Sequence, residues 1–208
     1  MDEFDFLTLE EMAAGVYTES RSKFMAFIHH ADDETEAQHT IEAYRRQYHD
    51  ARHVCWAYIA SGVDAAGQPQ QVSRSSDDGE PSGTAGKPIL GRLQAAGLQQ
   101  VVAVVVRYFG GVKLGTGPLA KAYRTATEEA LATANIVRRH LTTTLHFRVG
   151  YELADKVERC MKKLQTDNPR RTYEAAYILV SVDVRNAQLQ QFMGEIADYV
   201  QFETSPQP

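Results

Sequence analysis

The sequence has little cysteine and no long apolar run. Its two cysteines in 208 residues, Cys55 and Cys160, lie far apart and form no CxxC pair. This usage is typical of a thiol-reduced, cytoplasmic protein. No apolar stretch approaches the about 20 residues that a membrane helix needs, and the acidic amino terminus is unlike a signal peptide. We therefore predict a chain without a membrane span.

The sequence also lacks an excess of positive charge. Lysine and arginine number 22 against 27 acidic residues, which gives a formal net charge of −5. This balance argues against broad, non-specific adhesion to nucleic acid but leaves room for a local basic patch. Hydrophobic residues make up 43% of the chain, enough to bury a core, so the composition is not that of a disordered protein.

One stretch in the middle of the chain joins a buried strand to a helix through glycines. Residues 101–106 are β-branched apart from one alanine, which indicates a strand buried on both faces. Arg107, Tyr108 and Phe109 follow at its carboxyl end, and a glycine-rich turn spans residues 110–117. A helix then runs to about residue 134, with Thr116 or Gly117 as its cap and Pro118 in its first turn.

The glycine-rich turn suits an anion. A turn between a buried strand and a helix amino terminus presents free N–H groups and a positive dipole end, and Arg107, Lys113 and Lys121 add charge. The glycines of this region match neither of two common nucleotide-binding motifs, the P-loop and the dinucleotide fingerprint. Pro81 and Pro88 occupy key positions of a P-loop, and the glycines near residue 115 lie too far from the strand for a dinucleotide fingerprint.

An acidic turn precedes this stretch. Asp77, Asp78 and Glu80 place three carboxylates within four residues, with Arg74 nearby. Such a loop either holds magnesium or a polar ligand, or is a solvated turn whose aspartates bond their own backbone. The spacing matches no calcium loop, which favours the second interpretation.

Zinc ligation or a Cys–His nucleophile is suggested by the grouping of His49, Asp50, His53 and Cys55. They match no closed zinc pattern, and no third ligand is evident. A buried structural cysteine and a histidine at a strand edge are therefore favoured. We predict no cofactor.

The remaining pattern predicts an α+β protein of two domains, residues 1–138 and 139–208. In the first we expect strands at 15–19, 23–30 and 54–60, a hairpin partner at 70–75, and helices at 34–48 and about 89–97; residues 1–11 fray or cap the edge, and 62–69 form a turn. In the second we expect a strand at 141–151, a helix at 153–164, a turn at 168–171, strands at 171–175 and 177–184, a helix from 186 and a strand at 200–203. That order, β-α-β-β-α-β, is the ferredoxin-like split βαβ unit.

Four segments together resemble the signatures of the IMPACT family, in its bacterial YigZ-type branch. They are SRSKF at 20–24, DARHVC at 50–55, SDDGEPSGTAGKP at 76–88 and VVVRYFGGVKLGTG at 104–117. They occur in the family's order, and the similarity spans nearly the whole chain; Pro118 is a departure, since relatives commonly carry glycine there.

The resemblance implies a fold and a setting. The amino-terminal domain is expected to be similar to the second domain of a small-subunit ribosomal protein, and the carboxyl-terminal domain to a late domain of elongation factor G. Eukaryotic relatives act on a starvation-sensing kinase circuit through an extra amino-terminal domain that this chain lacks. We therefore do not expect this chain to act in that kinase circuit, but the resemblance does imply a binding role linked to translation.

The leading hypothesis is a non-enzymatic, translation-associated regulatory protein that contacts RNA, the ribosome or a translation factor. The predicted binding residues are Arg21, Lys23, Arg74, Asp77, Asp78, Glu80, Arg107, Tyr108, Phe109, Gly110, Gly111, Lys113, Gly115, Thr116, Gly117 and Lys121. In this hypothesis the cations and the turn receive phosphate, and Tyr108 or Phe109 stacks on a base.

Four points stay open at the level of sequence. Arg107 either receives phosphate or pairs with Asp77 or Glu80 and locks the two loops together. An alternative function is a magnesium-dependent enzyme of phosphoryl transfer or phosphate-ester hydrolysis, built on the acidic turn. A partnership with protein alone is a third possibility, and the oligomeric state is undetermined.

Overall fold

The protein is a mixed α/β fold, seen in a computed structural model that describes residues 5–63 and 69–203. The described strands are β1 (Asp5–Leu9), β2 (Ala13–Glu19), β3 (Ser22–His30), β4 (His53–Val63), β5 (Pro69–Ser76), β6 (Val101–Tyr108), β7 (Ile136–His140), β8 (Thr142–Val149), β9 (Asp167–Tyr173), β10 (Ile178–Arg185) and β11 (Val200–Phe202). The α-helices are α1 (Glu34–Gln47), α2 (Gly86–Ala95), α3 (Thr116–Ala132), α4 (Ala154–Lys163) and α5 (Leu189–Ile196).

The described residues form two compact units. One comprises Phe6–Arg138, and the other joins Asp5 to residues from Arg139 onward. No helix within the described ranges is long and apolar enough to cross a membrane.

The first unit is built on a five-stranded antiparallel sheet in the order β2-β3-β6-β4-β5. Its central strand, β6, is fully buried over residues 101–106, as the β-branched run predicts. Helix α1 covers one face of the sheet, and α2 and α3 cover the other. The side chains of β3 alternate between the two faces of the sheet: Phe24 and Ile28 enter the core under α2 and α3, while Phe27 packs on the α1 side.

The helices and hairpin of this unit follow local signals. Asp33 caps α1 by accepting a hydrogen bond from the backbone N–H of Glu36 at 2.8 Å, and β5 pairs with β4 as its predicted hairpin partner. The predicted turn at 62–69 falls partly on residues 64–68, which lie outside the described residues. Gly115, rather than Thr116 or Gly117, occupies the cap position of α3.

Two segments form strands that the sequence pattern did not predict. The expectation that residues 1–11 fray or cap the edge is wrong for β1, which pairs with β7. Phe6 and Leu9 are buried. This acidic segment therefore contributes two side chains to the core. Strand β7 lies just after the predicted helix end at about residue 134, in residues for which no element was predicted.

The second unit has the predicted β-α-β-β-α-β order. Its sheet runs β11-β8-β10-β9 with every neighbouring pair antiparallel, and this is the split βαβ arrangement. Phe147, Val182 and Phe192 are fully buried in its core. Residues 168–171 belong to β9 rather than to the predicted turn, because proline is tolerated on an edge strand.

Candidate functional site

The acidic turn is held by its own carboxylates. Asp77 accepts hydrogen bonds from the backbone N–H groups of Gly83 (2.7 Å), Ala85 (2.9 Å) and Gly86 (2.8 Å) at the start of α2. Burial raises the pKa of Asp77, but these N–H groups and the charge of Lys87 outweigh it, so its pKa lies below the ordinary value. The side chain thereby fills the anion position of the α2 amino terminus.

Asp78 ties the same turn to two other elements. One oxygen of its carboxylate accepts a hydrogen bond from the Val54 N–H at 2.7 Å, and the other lies 3.2 Å from the Arg45 guanidinium of α1. Its backbone carbonyl lies 2.8 Å from Nδ1 of His53. The histidine at the start of β4 therefore has a structural partner.

Glu80 and Arg107 form a buried ion pair between the acidic turn and the carboxyl end of β6. Their closest atoms lie 2.6 Å apart, and their side chains are only 4% and 6% exposed. Tyr123 donates a hydrogen bond to the same Glu80 oxygen at 2.9 Å, and Arg107 reaches Ser22 Oγ at 3.4 Å. The structural alternative for Arg107 matches this geometry, so neither Arg107 nor Glu80 is free to contact a ligand.

These contacts already engage the three carboxylates on which the magnesium hypothesis depends. The carboxylates of Asp77, Asp78 and Glu80 contact three different sets of partners. Within the described residues no group of three or more His, Cys, Asp or Glu side chains is arranged to hold a metal.

Cys55 is likewise engaged in the interior. It is fully buried, and its Sγ donates to the backbone carbonyl of Asp77 at 3.0 Å and contacts the Tyr123 hydroxyl at 3.3 Å. Burial raises the pKa of the Cys55 thiol well above its ordinary value. A neutral, buried thiol is a poor nucleophile, in agreement with the structural interpretation of this residue.

Three predicted residues point away from the glycine-rich turn. Lys23 lies opposite Tyr108 in the β3–β6 register, on the sheet face covered by α1, and the Tyr108 hydroxyl donates to Asp50 at 2.7 Å. Arg74 lies on β5, separated from β6 by β4, and pairs with Glu34 at 3.0 Å. The structure therefore does not bring these side chains to the turn.

The turn itself packs against the β2–β3 connection. Gly110 leaves no room for a Cβ atom, which would overlap the Arg21 carbonyl, and its N–H donates to Ser22 Oγ at 3.1 Å. Gly111 has a φ of +84°, a conformation that favours glycine. This close approach brings Arg21 beside the turn.

The amino terminus of α3 is open at this surface. Gly115 provides no side-chain cap, and Thr116 and Gly117 are exposed. Lys121 follows Gly117 by four residues and therefore shares its helix face. Across residues 5–63 and 69–203, Arg21, Lys113 and Lys121 form no ion pair. The basic turn surface is defined here as Arg21, Phe109, Gly110, Gly111, Lys113, Gly115, Thr116, Gly117 and Lys121.

The sequence-based selection omitted Ser22 and Tyr123, which complete the buried network. Ser22 lies within the SRSKF segment, which is a signal that could have identified it. Tyr123 has the spacing of an ordinary core position on α3, so its hydroxyl contact with Glu80 is visible only in three dimensions.

Comparison with known proteins covers this whole site. The model of the Impact N-terminal domain matches residues 20–131. The Escherichia coli (strain K12) protein named IMPACT family member YigZ is 35% identical over 179 residues, 86% of this chain and 85% of that protein. The Bacillus subtilis (strain 168) protein named IMPACT family member YvyE is 34% identical over 160 residues, 77% of this chain and 71% of that protein.

A solved structure also resembles the full chain. The crystal structure of a protein described as hypothetical superposes with a TM-score of 0.70 at 31% identity, over 99% of both chains. Because the matched domain spans more than half of the sequence and the relatives are matched along most of their length, the chain belongs to the IMPACT family.

Proposed function

We propose that this chain is a non-enzymatic, translation-associated regulatory protein that contacts RNA through the basic turn surface. The observation that carries the proposal is the open amino terminus of α3 beside the cations of Arg21, Lys113 and Lys121, which form no ion pair within the described part of the chain. Backbone N–H groups and a helix dipole attract phosphate, and Lys113 and Lys121 add charge at the same place.

The neighbouring acidic residues do not oppose an anion there. The charge of Glu80 is paired with Arg107, and the charge of Asp77 is taken up by three backbone N–H groups. The chain thus combines a net charge of −5 with a locally positive surface. Such a distribution favours a localised contact with RNA over general adhesion to polyanions.

The translation setting rests on the family resemblance. It implies a domain of residues 1–138 similar to the second domain of a small-subunit ribosomal protein, and a domain of residues 139–208 similar to a late domain of elongation factor G. On this basis the RNA belongs to the ribosome or to a complex of a translation factor. Likeness of fold is an analogy, so the test must measure binding itself. The magnesium-enzyme alternative has no comparable support, because its three carboxylates are already engaged.

Co-sedimentation with ribosomes tests the proposal. We expect the wild-type protein to sediment with ribosomes at physiological salt and to be released by nuclease. Lys113→Ala with Lys121→Ala should weaken binding by about tenfold or more, since both phosphate contacts are lost. The matched control is Arg46→Ala with Lys162→Ala, which removes the same charge from exposed positions on α1 and α4 and should bind like wild type.

Two results would contradict this function. Binding that survives nuclease treatment would indicate a protein partner. Equal binding by the Lys113/Lys121 variant and the control would show that the basic turn surface is not the contact.

A further inference from the structure

Phe109 is a large aromatic side chain at the surface beside a buried strand. Residues 101–107 of β6 are all buried, yet Phe109 is 46% exposed. The Arg107 guanidinium lies 5.5 Å from its ring centroid. The ring thus has a cation on one side while nearly half of its surface meets solvent.

The parts behind the ring are fixed. Arg107 is held by Glu80 at 2.6 Å and also lies 5.3 Å from the Phe24 ring centroid. The next residue, Gly110, is bonded to Ser22 and packed against the backbone of Arg21. An aromatic ring on such a rigid support loses little conformational entropy when a ligand covers it.

We infer that Phe109 is a stacking platform for an unpaired base, so that the basic turn surface selects single-stranded RNA over duplex RNA. This inference rests on the proposed function and adds the class of RNA. An aromatic face accepts any unstacked base, whereas bases within a duplex are stacked on one another and present no free face. The phosphates beside that base would meet Lys113 and the α3 amino terminus.

The second aromatic residue at this end of β6 does not serve the same role. Tyr108 lies on the opposite sheet face, and its hydroxyl is bonded to Asp50. The structure therefore selects Phe109 from the two aromatic residues that the sequence offered.

Fluorescence anisotropy with two labelled probes tests the inference on the full chain. The probes are a single-stranded oligouridylate of about 12 nucleotides, within the usual range of binding-site sizes, and an RNA duplex of the same length. Phe109→Ala should bind the single strand roughly tenfold more weakly and the duplex unchanged. Tyr173→Ala removes an aromatic side chain that is 67% exposed and is the matched control, expected to bind both probes like wild type.

A second variant reports stacking directly. Phe109→Trp should keep the affinity for oligouridylate, and its added fluorescence should be quenched on binding, relative to wild type whose single tryptophan is Trp56. A change in folding alone would not produce this quenching.

The possible failures are distinguishable. If Phe109→Ala binds the single strand like wild type, or Phe109→Trp is not quenched, the inference is wrong. The proposed function then still stands, provided that Lys113→Ala with Lys121→Ala weakens binding. If wild type binds neither probe nor the ribosome, both are wrong.

Discussion

At the scale of single residues, partners decide what a charge does. Arg107 and Lys113 both belong to the VVVRYFGGVKLGTG segment, yet Arg107 is buried against Glu80 while Lys113 is exposed. Both were reasonable phosphate ligands by residue type. Burial assigns them opposite roles, since a buried cation must be paired whereas an exposed one is available to a partner.

Removing Arg107 should therefore destabilise the first unit rather than only weaken binding. Arg107→Met leaves the Glu80 carboxylate buried without its cation, and we expect a loss of about 3–5 kcal/mol in the free energy of unfolding. Urea titration followed by Trp56 fluorescence measures it, because that tryptophan lies on β4 of the same unit. Arg46→Met, exposed on α1, should change stability by no more than about 0.5 kcal/mol.

A double variant gives the decisive comparison. The double variant Glu80→Gln with Arg107→Met should lose less free energy of unfolding than the two single variants lose together. The reason is that the double variant leaves no unpaired charge in the interior. Strict additivity would show that the pair contributes no coupling energy.

At the scale of elements, the amino termini of α2 and α3 differ in whether a carboxylate accepts hydrogen bonds from their backbone N–H groups. Asp77 fills the amino terminus of α2 with a carboxylate, whereas Gly115 leaves that of α3 uncapped. The chain thus stabilises α2 internally and leaves the α3 N–H groups available.

The Asp77 contacts predict a pH-dependent stability. Its pKa is lowered in the folded state, so its contribution is fully present above the ordinary aspartate pKa of about 4 and is lost as the pH falls through the lower folded value. Asp77→Asn should cost about 1 kcal/mol at pH 7, because it removes the negative charge at the amino terminus of α2 and replaces one of the two acceptor oxygens with an amide donor. That difference should shrink below about pH 4.

Chemical unfolding of the two proteins across this pH range measures the effect. Ser82→Ala, exposed in the same turn, should show no pH-dependent difference from wild type. A difference between Asp77→Asn and wild type that stays constant into acid would mean that the charge of Asp77 is not what stabilises α2.

At the scale of the whole molecule, the net charge and the charge of the basic turn surface predict different strengths of attraction to RNA. A formal charge of −5 predicts weak attraction to RNA, whereas the basic turn surface carries three cations that form no ion pair among the residues the structure describes. The salt dependence of the affinity distinguishes the effect of the net charge from that of the basic turn surface, because counterion release reports only the phosphates that are contacted.

We expect a measurable slope in the logarithm of the affinity against the logarithm of the salt concentration. Three contacts to single-stranded RNA give a slope of about −2, and removing Lys113 or Lys121 should reduce its magnitude by about 0.7. Arg46→Ala changes the net charge equally and should leave the slope unaltered. A slope near zero for wild type would contradict a phosphate contact at this surface.

Sequence patterns predicted those parts of the fold that depend on neighbouring residues. The run at 101–106 indicated a strand buried on both faces, and the pattern at 23–30 indicated the strand that the structure shows as β3. Alternation along these strands could have separated Lys23 and Tyr108 from the turn, because adjacent residues on a strand face opposite sides. Strand β1 was missed because a few apolar residues among acids have no reliable period.

The sequence by itself determined the IMPACT family, the order of helices and strands apart from β1 and β7, and the glycine-rich turn before α3, since each depends on residues close together in the chain. Only the tertiary structure decided which charges stay free. The order β3-β6-β4 brings Ser22, Arg107 and His53 to one end of the sheet, where Glu80 is buried among them. Contacts between residues 27 and 85 positions apart depend on strand order, which no local pattern encodes.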